Sequence, residues 1–383
     1  MLAPKLRFKE FNDEWKKERL NKISTINPKS DNLPNKFIYI DLESVQKGIL
    51  LNKNIINKIH APSRAQRTVK LNDILFQTVR PYQQNNYFVS EVCDIPYIAS
   101  TGYALIRTNQ DPYFIYTLMH RQDFLNKVLD MCTGTSFPAI NSNDLGTIEI
   151  KIPLKKEQEK ISELFSLLNK KIELQQRKIE VLKMYKRGLI HKIFDNNKNI
   201  SNQYKISECI NIFDRKTTKN NEFTILSSTK DGIKIQDDYF NRQTASVNNI
   251  GYKIIPRNYI TYRSMSDTGD FYFNIQNIID IGIVSPAYPV FNTIDTIDIN
   301  YFTNYINFSS QFKNQILINK EGGTRFALSI SKFSDLVIEL PKYEIQLYYS
   351  RIISNTDKKI IVEENKLKSL NILKKSLLQQ MFI

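Results

Sequence analysis

The chain has 383 residues, with 54 Lys plus Arg against 39 Asp plus Glu and a formal charge of +15. That length accommodates two or three domains with their own cores, and the cationic excess points to nucleic acid or an anionic membrane surface as a partner. A membrane is disfavoured because no run of roughly 18 apolar residues and no signal-peptide pattern is found, while three scattered cysteines, Cys93, Cys132 and Cys209, suit buried thiols in a reducing cytoplasm better than a disulfide framework.

Residues 1–150 open with short β-rich runs, among them Phe37-Ile38-Tyr39-Ile40 and Ile74-Leu75-Phe76, separated by turn residues. Arg64 and Arg67 lie in a polar loop between these runs. The second run feeds Gln77-Thr78-Val79-Arg80-Pro81-Tyr82-Gln83-Gln84-Asn85-Asn86. Arg reads guanine bidentately, and Gln and Asn read adenine, so Arg64, Arg67, Gln77, Arg80, Tyr82, Gln83, Gln84 and Asn85 are candidate DNA contacts. Ordinary solvated loops are the competing reading for any one of them. A helical stretch, Pro112–Val128, precedes Gly134-Thr135-Ser136-Phe137-Pro138-Ala139. That element is either a tight turn needing positive φ at glycine or a set of backbone N–H groups facing a phosphate; the turn is preferred.

Asp144 and Glu149-Ile150-Lys151 have the residue types of a metal-dependent nuclease, but the alternation through Pro153 reads as an edge strand. His60, His120 and His191 are isolated, and no phosphate loop, GxGxxG or methyltransferase tetrapeptide occurs. The chain is therefore expected to be non-catalytic.

After Pro153 comes a heptad seam through Ile161, Phe165, Leu168, Ile172, Gln175, Ile179, Leu182, Lys186, Leu189 and Ile193, a helix of roughly 40 residues or about 60 Å. An Asn-rich linker follows at Asp195–Asn202. Residues 196–340 again alternate short β runs (Tyr259–Tyr262, Ile281–Val284), a helical stretch (Asn300–Ile316) and a glycine-threonine element, Gly322-Gly323-Thr324-Arg325-Phe326-Ala327. Here Arg242, Arg263, Ser264 and Arg325 are the candidate DNA contacts, Arg325 for a phosphate. Residues 341–383 repeat the helix, with Tyr349, Ile353, Thr356, Ile360, Glu363, Leu367, Leu370, Lys374, Leu377 and Met381 on its seam.

The two halves are one pattern stated twice. At an offset of 188 to 189 residues Gly134, Thr135 and Phe137 meet Gly323, Thr324 and Phe326. Pro153 then meets Pro341, Gln158 meets Gln346, Lys170-Lys171-Ile172 meets Lys358-Lys359-Ile360, and Phe194 meets Phe382. So long a period is a duplicated domain plus helix, not a solenoid unit. Polar interruptions at equal ranks of the two seams favour helices packed on one another over two independent amphipathic helices, and Gln175 or Lys186 is expected to face the other copy. The expected fold is α+β: two mixed α/β domains (1–150 and 196–340) separated by a two-helix coiled coil (151–195 and 341–383), with a pseudo-two-fold internal repeat.

The paired GTSFPAI and GGTRFALSI elements, the IEIKIPLKKEQEKI and VIELPKYEIQ segments, the endings GLIHKIF and SLLQQMF, and the opening KLRFKEFNDEWKKERLNKI resemble the specificity subunits of Type I restriction–modification enzymes. The resemblance spans the chain and is weakest inside the globules. It implies two target recognition domains, each reading one half of an interrupted double-stranded DNA site. The antiparallel helices would set the gap and dock two adenine-N6 methyltransferase subunits, which motor/endonuclease subunits then join. S-adenosylmethionine, ATP and Mg would belong to those partners, with no cofactor in this chain. A stand-alone sequence-specific DNA-binding regulator is the main alternative; a coiled-coil scaffold and a fused restriction enzyme fit less well.

Overall fold

The computed structural model describes residues 3–134, 136–195, 202–236, 248–320 and 325–383. Expectations that fell on Thr135, Arg242, Gly322, Gly323, Thr324 and most of the 195–202 linker lie outside the described residues. The chain is a mixed α/β protein of two compact units. One comprises Met1–Gln176 and Asn365–Ile383, the other Arg177–Glu364. Two long helices, Lys155–Phe194 and Tyr343–Gln380, are therefore each shared between the units.

The first unit holds two four-stranded sheets. One pairs Ser24–Ile26, Tyr103–Thr108, Ile74–Gln77 and Tyr87–Phe88, all antiparallel. The run Ile74-Leu75-Phe76 is continuous rather than alternating because both faces of that strand are covered, and all four of its residues are buried. The other orders Asn54–Asn57, Lys36–Ile40, Tyr97–Ser100 and Ala65–Thr68, with Tyr97–Ser100 parallel to Lys36–Ile40. Lys16–Arg19 pairs with Glu149–Ile152 in a separate ribbon, so Glu149 and Lys151 sit on a two-stranded edge.

The second unit has a four-stranded antiparallel sheet of Ile210–Ile212, Val290–Thr293, Ile260–Tyr262 and Phe273–Ile275. Its spatial order, first–fourth–second–third along the chain, equals that of the Ser24–Phe88 sheet. A ribbon of Asn202–Lys205 with Val337–Leu340 likewise matches the Lys16–Ile152 ribbon. The remaining described strands of the second unit pair two by two, where the first unit has a second four-stranded sheet.

Where one helical stretch per half is expected from sequence, two short helices are found. Pro112–Leu118 is followed by Gln122–Asp130, and Ile299–Phe308 by Ser310–Asn319. The break falls at an extended residue, Arg121 or Ser309, and the Ser309 hydroxyl accepts from Phe312 N. Bending there turns both apolar faces inward, burying Phe114, Ile115, Phe124 and Val128 in one unit and Phe302, Ile306 and Phe312 in the other.

The seam residues of the long helices are covered. Ile161, Phe165, Leu168, Ile172, Ile179, Ile353 and Ile360 are buried, and Leu182, Leu189, Leu367, Leu370 and Leu377 are half-buried. In the first unit Phe165, Phe382, Trp15 and Phe114 form one aromatic cluster with ring centres 5.2 to 6.1 Å apart. In the second, Lys178 reaches Glu363 at 3.0 Å, Lys183 reaches Glu364 at 2.6 Å and Lys186 reaches Asp357 at 2.6 Å. Rising numbers on one helix meet falling numbers on the other. Lys186 thus spends its charge on the second copy.

Candidate nucleic-acid interface

In the first unit the two sequence signals come together. The loop after Ile74–Gln77 and the loop containing Gly134 and Phe137 are joined by an isolated bridge, Val79 to Ala139. Arg80 N donates to Pro138 O (2.8 Å), and Ile140 N donates to Thr78 O (3.0 Å). Thr133 and Ala139 close the second loop on itself through reciprocal backbone bonds. Gly134 has φ +88°, and a Cβ there would stand 3.2 Å from Phe137 O. The tight turn needs glycine at this position.

Arg80 and Gln84 are themselves in the left-handed region (φ 54° and 52°), flanking a 3-10 turn at Pro81–Gln83. The Arg80 guanidinium lies 4.4 Å from the ring centre of Phe137, a residue 60% exposed. Tyr82 is 51% exposed beside them.

The other candidates of this loop behave differently. Gln77 is buried; its amide donates to Val79 O and Gln83 Oε1 (2.8 Å each) and accepts from Asn85 N. Asn85 Oδ1 accepts from Lys47 N. Gln77 and Asn85 therefore shape the turn, and the buried Gln77 amide is held by its own loop. Arg64 is exposed and Arg67 half-buried on the other sheet. The Arg67 Nε is buried without a partner, and burial depresses that guanidinium's pKa.

The second unit repeats the placement with other side chains. Met265–Ser266 pairs with Phe326–Ala327, and Leu328 N donates to Ser264 O (2.9 Å). The loop after Ile260–Tyr262 is thereby tied to the loop carrying Arg325. The Ser264 hydroxyl donates to Ala287 O (2.6 Å), and Arg325 Nε sits 3.1 Å from Asp267. Phe326 has a cation over its ring as Phe137 does, but the cation is Lys320, at 3.8 Å. Arg263 is exposed. It borders a cleft of about 410 Å³ shared with Arg325, Gln236, Tyr252 and Tyr288, and a neighbouring hollow of about 360 Å³ that adds Lys230 and Tyr272. Burial raises the Tyr288 pKa, and the Arg263 charge pulls it back.

Tyr288, Lys230 and Gln236 were not singled out from the sequence, where they sit in short connections without a distinctive neighbour pattern. The ring-and-cation arrangement shared by Phe137 and Phe326 is findable in the sequence, because the two phenylalanines align at the repeat offset.

Each of the two mixed α/β units thus presents paired loops that carry partly or fully exposed cationic and aromatic side chains. The family described as "Type I restriction modification DNA specificity domain" matches residues 12–184. That match covers a little under half of the chain. It is similar to the specificity subunit of the Type I restriction enzyme HindI from Haemophilus influenzae, 28% identical over 169 residues, which are 42% of this chain and 36% of that one. The alignment thus spans about a third of that relative's length. The fold is that of the S subunit of a Type I restriction–modification system from M. genitalium (TM-score 0.60, 16% identity, 100% of this chain and 99% of that one). A chain from a solved type I R-M system, studied for complex assembly and conformational transition, gives 0.59 at 18% identity, covering 96% and 97%. No described helix is long and apolar enough to cross a membrane.

Proposed function

We propose that this chain selects the DNA sequence for a Type I restriction–modification complex, each unit reading one half of an interrupted double-stranded site. The supporting observation is the repeated placement of a loop after the third-position strand against a glycine-rich loop, at Val79 and Ala139 in one unit and at Met265 and Ala327 in the other. The frame is kept while its side chains differ, as two unlike half-sites require. The candidate base and phosphate contacts are Arg80, Tyr82, Gln83 and Gln84, with Arg64 and Arg67 nearby in sequence, and Arg263, Ser264, Arg325 and Arg242 in the second half.

The long helices form an antiparallel coiled coil in this reading, part of a pseudo-two-fold repeat, and they set the gap between half-sites. Their seam contacts support it. Docking of two methyltransferase subunits is supported by apolar side chains left exposed on the helices in both units: Leu167, Leu174, Ile372 and Leu373 in the first, Val181, Met184, Ile361 and Val362 in the second. A stand-alone regulator has no use for them. Motor/endonuclease subunits would join that complex, and S-adenosylmethionine, ATP and Mg would act in the partners. Adenine methylation within a duplex needs the base flipped out, and the partner's pocket would receive it.

The test is an exchange of residues 25–130 for the corresponding segment of another specificity subunit, followed by mapping of N6-methyladenine in a genome carrying the chimera. One half of the methylated site should change and the other persist. A change in both halves, or in neither, would refute the modular reading.

A further inference from the structure

Each unit contains the same three-residue lock between its globule and a long helix, with the Gln and Ser buried and the Asp half-buried. In the first unit Gln158, fully buried, donates from Nε2 to Pro153 O (2.9 Å) and accepts at Oε1 from Asp111 N (3.1 Å). The Ser162 hydroxyl donates to Asp111 Oδ1. That same carboxylate oxygen accepts from Phe114 N (2.8 Å), capping the helix Pro112–Leu118. In the second unit Gln346 donates to Pro341 O (2.8 Å) and accepts from Asp298 N (3.0 Å). Ser350 donates to Asp298 Oδ1, which caps Ile299–Phe308 through Tyr301 N (2.8 Å).

Gln and Ser stand four apart on the long helix, hence on one face. Asp stands at the first residue before the globule's helix, where its carboxylate is already committed to the helix N-terminus. The long helix and the globule helix are therefore fixed to one another through a single carboxylate and a single amide. Apart from the shared four-stranded sheet, the matching ribbon and the tied loops, the described parts of the globules differ. The sheets beyond the common four strands differ, the reading loops carry different side chains, and the cations over Phe137 and Phe326 come from different segments. A polar device kept in duplicate at a largely buried contact is directional, so it is suited to fixing orientation as well as adding strength.

We infer that Gln158, Ser162 and Asp111, and likewise Gln346, Ser350 and Asp298, are positioning residues that set the angle at which each recognition unit leaves its helix, and so the gap length the protein accepts. The inference rests on the proposed reading of half-sites separated by the helix pair. The six act through the packing of each globule on its helix, not by contact with DNA, in this inference.

The experiment uses the full chain co-expressed with its methyltransferase subunits and a plasmid library in which the mapped site has its gap lengthened or shortened by one or two base pairs. Wild-type complex should methylate the native gap at least about tenfold more than its neighbours. Gln346→Leu, which removes both amide bonds, should cut that ratio to about twofold while the bases of both half-sites stay as they were. Gln346→Glu keeps the acceptor for Asp298 N and should retain more of the ratio. Should Gln346→Leu fail to fold, Ser350→Ala, which deletes one hydroxyl, should lower the ratio about threefold. If the variants lose methylation equally at every gap, in proportion to lost folded protein, the residues merely stabilise and the inference is overturned. If the wild-type complex shows no gap preference, the helix-spacer reading fails first and the inference with it.

Discussion

The Arg80 guanidinium rests on the face of Phe137, 4.4 Å from the ring centre, so two loops more than fifty residues apart in sequence present one cationic, aromatic surface. Arg80→Ala should therefore weaken binding to one half-site by about 1–3 kcal/mol if the guanidinium reads a base edge. It should reduce the salt slope by about one charge if it meets a phosphate. Phe137→Ala leaves Arg80 in place but unsupported and is expected to have a smaller effect in the same direction. Binding isotherms at several salt concentrations on duplexes bearing the mapped site check both, and unchanged affinity for both variants would remove this surface from the interface.

Arg7 makes a two-pronged contact with Glu157, Nε to Oε1 at 2.8 Å and Nη2 to Oε2 at 2.7 Å, and Glu157 is 1% exposed. The Arg7 pKa is raised chiefly by that hydrogen bond. Arg7→Ala strands a buried carboxylate and should cost about 3–5 kcal/mol of first-unit stability. Replacing both residues by apolar ones of similar volume should recover much of it. Denaturant unfolding of the two variants distinguishes the stranded charge from the lost contact.

His120 is packed against the Tyr116 ring, and its Nδ1–H donates to Tyr116 O at 2.8 Å. Burial, with a smaller push from the Lys374 charge, lowers its pKa to about 4. The folded chain thus resists a proton that the unfolded chain takes up near 6.5. Its stabilising contribution is complete above pH 6.5 and is lost as pH falls from there toward 4, at up to about 1.4 kcal/mol per pH unit. His120→Gln should flatten this part of the Tm–pH profile. An unaltered slope between pH 6.5 and 4 would show that other groups dominate.

Inserting four residues near Gln175, matched by four in the second long helix, adds about 6 Å of helix. The methylated gap should lengthen while the bases of each half-site persist. Methylome sequencing reads both at once; a changed base preference would mean that the helices also shape the reading loops.

Much of this was legible in the sequence because it is periodic. A heptad seam forces burial on one helix face whatever lies beyond it, so Ile161, Phe165, Ile172, Ile353 and Ile360 could be named without coordinates. The shared loop frame was visible as GTSFPA and GGTRFAL. The hydrogen-bonding state of a side chain was not. Gln77 and Gln84 look alike in a polar run, yet Gln77 is fixed by three bonds within the turn and Gln84 holds a left-handed corner. Composition names the residue types able to read a base, whereas backbone geometry decides which of them are free to do so. Arg67 shows the same limit, since its half-buried guanidinium depends on a sheet pairing with Ala99 that no local pattern announces.

Trp15, Phe114 and Phe165 pack their rings together with Phe382, and Met381 belongs to the same cluster. On a translating ribosome those closing side chains appear after all of Arg177–Glu364 has been made. The first unit's aromatic cluster is thus complete only once residues synthesised after the whole of the second unit have joined it.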